Sequence, residues 1–234
     1  MSAIRQNLQA VRQRITDAAN SAQRDVHGVE LLAVSKTFDA DAVIAAAEAG
    51  QAAFGENYLQ EALEKMASVQ AARPDLILEW HFIGPIQSNK TRPIAEHFDW
   101  VHSVDREKIA QRLSEQRPAN MPPLNICLQV NISGEASKSG VAPTEVRAMA
   151  QAIAALPRVR LRGLMAIPEA EGDMEQQRAP FRQLHTLFEQ LRTEGLALDT
   201  LSMGMSGDMA AAIAEGATIV RIGSAIFGTR DYAK

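Results

Sequence analysis

A single cysteine in 234 residues excludes an internal disulfide and any metal cage built on several thiolates. It sits in the apolar run Leu124-Asn125-Ile126-Cys127-Leu128, where a packed thiol behaves as a small hydrophobe. Long apolar runs are also missing. No stretch approaches the roughly 18 residues of a membrane span, and Met1-Ser2-Ala3-Ile4-Arg5-Gln6 holds no apolar core of a secretory signal. A cytoplasmic protein without a membrane partner is expected, so the sequons at Asn89 and Asn131 carry no weight. Basic runs are absent too. Lys plus Arg is 24 against 28 for Asp plus Glu, a net charge of -4 with the signs interspersed, which argues against nucleic acid as partner. There is no Walker A run, G-x-G-x-x-G, H-E-x-x-H or G-x-S-x-G. His81, His97 and His102 lack tight ligand spacing, so no metal site is expected.

What the chain does have is alternation. Short β-type apolar runs at residues 31–35, 52–55, 79–83, 100–104, 124–132, 160–167, 200–203 and 218–222 read as eight strands. Helical stretches follow several of them, at 41–49, 59–69, 143–156, 174–193 and 209–215. Gly50 ends one helix, where a positive φ is cheap, Asp105 is placed to cap another, and Pro143 opens a third. Strands alternating with helices point to a parallel α/β sheet, and the count of eight points to one (β/α)8 TIM barrel over residues 1–234. An open doubly wound sheet is the alternative, because pattern alone cannot show closure. Residues 2–20 form an amphipathic helix with Ile4, Leu8, Val11 and Ile15 on one face. Little chain follows the eighth strand, so this helix is expected to cover the barrel wall that a full eighth helix would cover.

In such barrels chemistry sits at the C-terminal strand ends. Lys36 directly follows a run that should be buried. A desolvated lysine there favours its neutral amine and becomes a nucleophile toward carbonyls, while the plainer reading is a lysine that snorkels to solvent. Gly204-Met205-Ser206-Gly207 after strand seven and Gly223-Ser224 after strand eight offer backbone N–H groups where this fold frequently holds phosphate. Helix capping by Ser206 and Asp208 is the alternative.

Several segments together resemble one family. Leu32-Ala33-Val34-Ser35-Lys36-Thr37, Phe54-Gly55-Glu56-Asn57-Tyr58 and the run from His81 to Lys90 are similar to motifs of the YggS/PROSC family of pyridoxal 5'-phosphate (PLP) homeostasis proteins. So are Arg162-Gly163-Leu164-Met165-Ala166-Ile167, Ser202-Met203-Gly204-Met205-Ser206 and the run from Val220 to Gly228. Gly207 departs from the polar residue that often follows the serine. The resemblance implies a fold-type III PLP-binding barrel similar to the N-terminal domain of alanine racemase, without that enzyme's second β domain. It implies PLP as a covalent imine on Lys36, phosphate at Ser206, Gly223 and Ser224, Arg221 facing the pyridine nitrogen, and Asn57 near the ring. His81 and Met165 are expected to line the pocket.

The resemblance leaves turnover to be argued. Racemisation uses a base on each face of the ring. Lys36 supplies one, but the second base of alanine racemase is a tyrosine from another domain and subunit, and the only tyrosines here are Tyr58 and Tyr232. An arginine opposite the ring nitrogen also keeps that nitrogen unprotonated and weakens the ring as an electron sink. The expected function is a monomeric carrier that buffers PLP or delivers it to apo PLP-dependent enzymes, with no catalytic residue. A PLP-dependent amino-acid racemase is the alternative, and a Schiff-base aldolase using Lys36 a third. Lys138, in the small polar loop 133–140, is expected to hang over the barrel mouth as a second amine or to be a solvated surface charge.

Overall fold

The computed structural model describes residues 3–134, 139–169 and 172–229. The strands are β1 (Glu30–Val34), β2 (Ala53–Glu56), β3 (Glu79–Phe82), β4 (Trp100–Val104), β5 (Leu124–Gln129), β6 (Val159–Met165), β7 (Thr200–Ser202) and β8 (Ile219–Ile222). Each pairs in parallel with the next. β1 also pairs with β8, from Glu30 opposite Ile219 to Ala33 opposite Ile222. That last register closes the barrel and removes the open-sheet alternative.

Period-two alternation inside β1 shows how one apolar run serves two cores. Leu32 points into the barrel with Ala53, Trp100, Cys127, Met165 and Ile219. Leu31 and Ala33 point outward into the layer shared with the helices. Cys127 is fully buried, and burial pushes its thiol up to about 12, which keeps it protonated and inert.

Helices α1 (Ala3–Ser21), α2 (Ala40–Glu48), α3 (Leu59–Ala72), α4 (Thr91–His97), α5 (Glu107–Gln116), α6 (Val146–Ala154), α7 (Met174–Thr193), α8 (Met209–Ala214) and α9 (Ser224–Phe227) form the outer layer. Asp39 caps α2 by accepting the Ala42 N–H, and Gly50 after its end has φ +85°. Asp173 and Gln176 close a capping box on α7.

Two sequence expectations need correction, and one helix was not read from the sequence at all. This short helix, α4, lies between the third and fourth strands. Its buried residues are Thr91, Ile94 and Ala95, too few for a readable apolar period. Asp105 caps nothing: Arg106 is the N-cap of α5, and the Asp105 carboxylate instead pairs with the Arg106 guanidinium at 3.1 Å. Pro143 opens a 3-10 turn, Pro143–Glu145, and α6 begins only at Val146.

The N-terminal helix covers the wall expected of it. Its Asn7 side chain donates to the Ile226 carbonyl at 2.9 Å, and Arg24, just beyond it, donates to the Ile213 and Ala217 carbonyls at 2.8 Å. Buried Leu8, Val11, Ile15 and Ala19 face the outer core. Among the described residues no helix is long and apolar enough to cross a membrane.

Candidate functional site

Lys36 is half-buried, two residues past the end of β1, and the turn carrying it is tightly held. The next residue, Thr37, has φ +70°, a left-handed conformation that costs energy for a residue with a β-branched side chain. Its N–H donates to Glu61 Oε1 at 2.6 Å. Behind the turn lies a buried ion-pair cluster. Lys65 Nζ donates to the Ser35 carbonyl at 2.8 Å, to Glu56 Oε1 at 2.7 Å and to Glu61 Oε1 at 3.0 Å. Ser35 Oγ also donates to Glu56 Oε1, at 2.6 Å. Burial raises the Glu56 carboxyl above its ordinary value, with Lys65 opposing. Sequence reading missed this clamp, although Lys65 stands at helical spacing between Ala62 and Val69 on the apolar face of α3.

A cavity of about 400 Å³ opens at this end of the barrel, lined by Lys36, Asn57, Ser103, Gln129, Asn131 and Ser139 among others. Gly84 explains how Asn57 reaches it. A Cβ at residue 84 would lie 2.2 Å from the Asn57 carbonyl oxygen, so only glycine lets the two backbones meet. Ser103 Oγ donates to the Gly84 carbonyl and fixes the approach. Gln129 Nε2 donates to the Ser139 carbonyl at 3.3 Å, and Ser133 and Ser139 both line the cavity. Lys138, between them in sequence, lies outside the described residues.

The loops after β7 and β8 stand on the other side of Lys36, because β8 flanks β1 opposite β2. A Cβ at Gly223 would lie 3.1 Å from the Val34 carbonyl oxygen, two residues before Lys36. Ser224 is exposed and Ser206 half-buried. The Ser206 carbonyl accepts from Arg14 of α1 at 3.1 Å. The Asp208 carboxylate accepts the Met205 N–H rather than capping α8. None of Ser206, Gly223 and Ser224 lines the 400 Å³ cavity.

His81 and Met165 do not line it either. Both are fully buried in the barrel interior, Met165 packed in the inner core and His81 hydrogen-bonded to Glu79 and His102. Arg221 is buried too, donating to Ser202 Oγ at 2.7 Å and to the Ala166 carbonyl at 3.0 Å. Burial pulls its pKa down to about 10, with the Asp208 carboxylate opposing at longer range. Its two hydrogen bonds go to neutral acceptors, and a buried cation needs such partners to offset its desolvation.

The chain matches the family model of the alanine racemase N-terminal domain over residues 1–231. A pyridoxal phosphate homeostasis protein of Pseudomonas aeruginosa is 64% identical over 232 residues, covering 99% of this chain and 98% of that protein. The chain belongs to the pyridoxal phosphate homeostasis protein family. PipY of Synechococcus elongatus PCC7942, solved with PLP bound, is 38% identical with a TM-score of 0.82, over 96% of this chain and all of PipY. Alanine racemase from Corynebacterium glutamicum shares the fold alone, at 18% identity and TM-score 0.70, over 97% of this chain and 60% of that one.

The residues of this pyridoxal phosphate homeostasis family member fit a phosphorylated pyridine aldehyde. An amine faces a cavity large enough for the ring, a buried guanidinium hydrogen-bonded to neutral acceptors stands within the same barrel, and the Gly223 backbone lies against the Val34 carbonyl, two residues before Lys36.

Proposed function

We propose that this protein binds pyridoxal 5'-phosphate through a covalent imine on Lys36 and acts as a cytoplasmic, monomeric buffer that supplies the cofactor to apo PLP-dependent enzymes. The observation that carries this reading is the seating of Gly223 against the Val34 carbonyl, beside the turn of Lys36, the one lysine among the described residues that lines the cavity. Backbone N–H groups of Ser206, Gly223 and Ser224 receive the phosphate. Arg221 donates toward the pyridine nitrogen and keeps it unprotonated, since a guanidinium has no acceptor. Asn57 stands near the ring. His81 and Met165 support the site from below. When bound, the cofactor supplies an aldehyde and an electron-withdrawing ring.

Turnover as a racemase is the second reading, favoured by the fold shared with alanine racemase. One observation weighs against it. The only tyrosine among the described residues, Tyr58, is 51% exposed, a poor setting for a proton donor on the second ring face. An arginine at the ring nitrogen would limit the chemistry without forbidding it.

The test is direct. Purified protein mixed with PLP is expected to gain visible absorbance, to lose it on borohydride reduction with the label mapping to Lys36, and to turn over no amino acid. Absence of a bound chromophore overturns the binding reading, and enantiomer interconversion overturns the carrier reading.

Two further outcomes follow here. Gly223→Val presses a branched side chain against the Val34 carbonyl and is expected to weaken PLP binding about tenfold or more, by equilibrium titration, while the fold persists. Lys138→Ala is expected to slow transfer of PLP to an apo-enzyme at matched loading, since the loop's two ends line the cavity mouth. Identical transfer rates would return Lys138 to plain surface charge.

A further inference from the structure

The interiors of (β/α)8 barrels are normally filled by layers of branched apolar side chains. Here a file of polar groups crosses four strands beside that packing. Glu79 Oε1 lies 2.8 Å from His81 Nε2, and His81 Nδ1 lies 2.8 Å from His102 Nε2. His102 Nδ1 lies 2.7 Å from Ser202 Oγ, which lies 2.7 Å from Arg221 Nη1. His81, His102 and Ser202 are fully buried, whereas the Glu79 side chain is 44% exposed at the start of β3, the face opposite Lys36.

Hydrogen positions follow from the two ends. Arginine only donates and an ionised carboxylate only accepts. The hydrogen bond from His81 holds Glu79 below the usual carboxylate range, and burial holds His102 well below the usual imidazole value, hence neutral. Where each ring carries one N–H, all four bonds form in only one way. Arg221 donates to Ser202 Oγ, Ser202 donates to His102 Nδ1, His102 Nε2–H donates to His81 Nδ1, and His81 Nε2–H donates to Glu79.

We propose that Glu79, His81, His102 and Ser202 are positioning residues for Arg221, an oriented file that holds the guanidinium in place for PLP. The inference rests on the PLP-binding reading above. In this orientation Ser202 donates onward, and this polarises its oxygen as an acceptor for Arg221.

The experiment has an arm that needs no cofactor. Side-chain nitrogen-15 NMR of the protein before PLP is added resolves five histidines. His102, which burial keeps neutral, is expected as the Nε2–H tautomer. An Nδ1–H tautomer of His102 overturns the file.

The second arm is PLP titration. Ser202→Ala should weaken binding about tenfold at neutral pH, the loss of one hydrogen bond to a buried charge, and Ser202→Thr should restore it. Wild-type affinity in Ser202→Ala overturns the positioning role. If Ser202→Ala fails to fold, the His102 tautomer decides. If wild-type protein binds no PLP, the functional reading fails while the NMR arm still judges the file.

Discussion

Lys65→Met is expected to lower the unfolding free energy by about 3–5 kcal/mol, the usual cost of removing one partner from a buried ion pair. The side chain of Glu56 is fully buried, and its Oε1 accepts from both Lys65 and Ser35. Its Oε2 already lacks a hydrogen-bond partner among the described residues. Without Lys65 the carboxylate keeps only the Ser35 hydroxyl, and the Ser35 carbonyl loses its donor. Methionine fills the volume on the apolar face of α3, so the loss isolates charge from packing. Urea unfolding measures it, and a loss below about 1 kcal/mol, the range of exposed pairs, would show that the cluster is solvated. Pairing the change with Glu56→Leu should recover most of the stability by removing both charges. PLP affinity should fall in the double variant, because the turn that presents Lys36 then keeps only the Thr37 N–H bond to Glu61 of this cluster.

The second large effect is at Lys36 itself. Lys36→Ala is expected to abolish both the visible absorbance of bound PLP and its borohydride-trapped attachment. Stability should change by no more than about 1 kcal/mol, since the side chain is half-buried and faces the cavity. Absorbance, mass mapping and a thermal melt suffice. Attachment that survives on another lysine would end the assignment of Lys36.

Much of this was readable from residues alone. All eight strands stand where short apolar runs punctuated by Gly, Asp and Pro put them, and α7 runs over the residues its period marked. The loops after β7 and β8 were legible as Gly-Ser turns, and Lys36 as a lysine behind a buried run. The polar file was not. In a parallel barrel both strand faces are buried, so a strand reads as an unbroken run and its inward residues carry no mark. His102 within Trp100–Val104 and Ser202 at the end of Thr200–Ser202 therefore looked like ordinary strand residues. The clamp was hidden for a related reason: Glu56, Glu61 and Lys65 meet Ser35 only once β1 and β2 pair in register, Ala33 against Phe54. Asp105 was misread because a carboxylate one residue early finds a nearer cation in Arg106.

Barrel closure has a consequence for a chain still being made. Until β8 emerges, β1 has one unpaired edge and α1 lacks the carbonyls of Ile226, Ala217 and Ile213 that tie it down. Gly223 cannot yet lean on Val34. Under the proposed binding mode the loop beside Lys36 is therefore complete only when the last strand docks, and chains truncated before β8 are expected to hold PLP no better than a free lysine does.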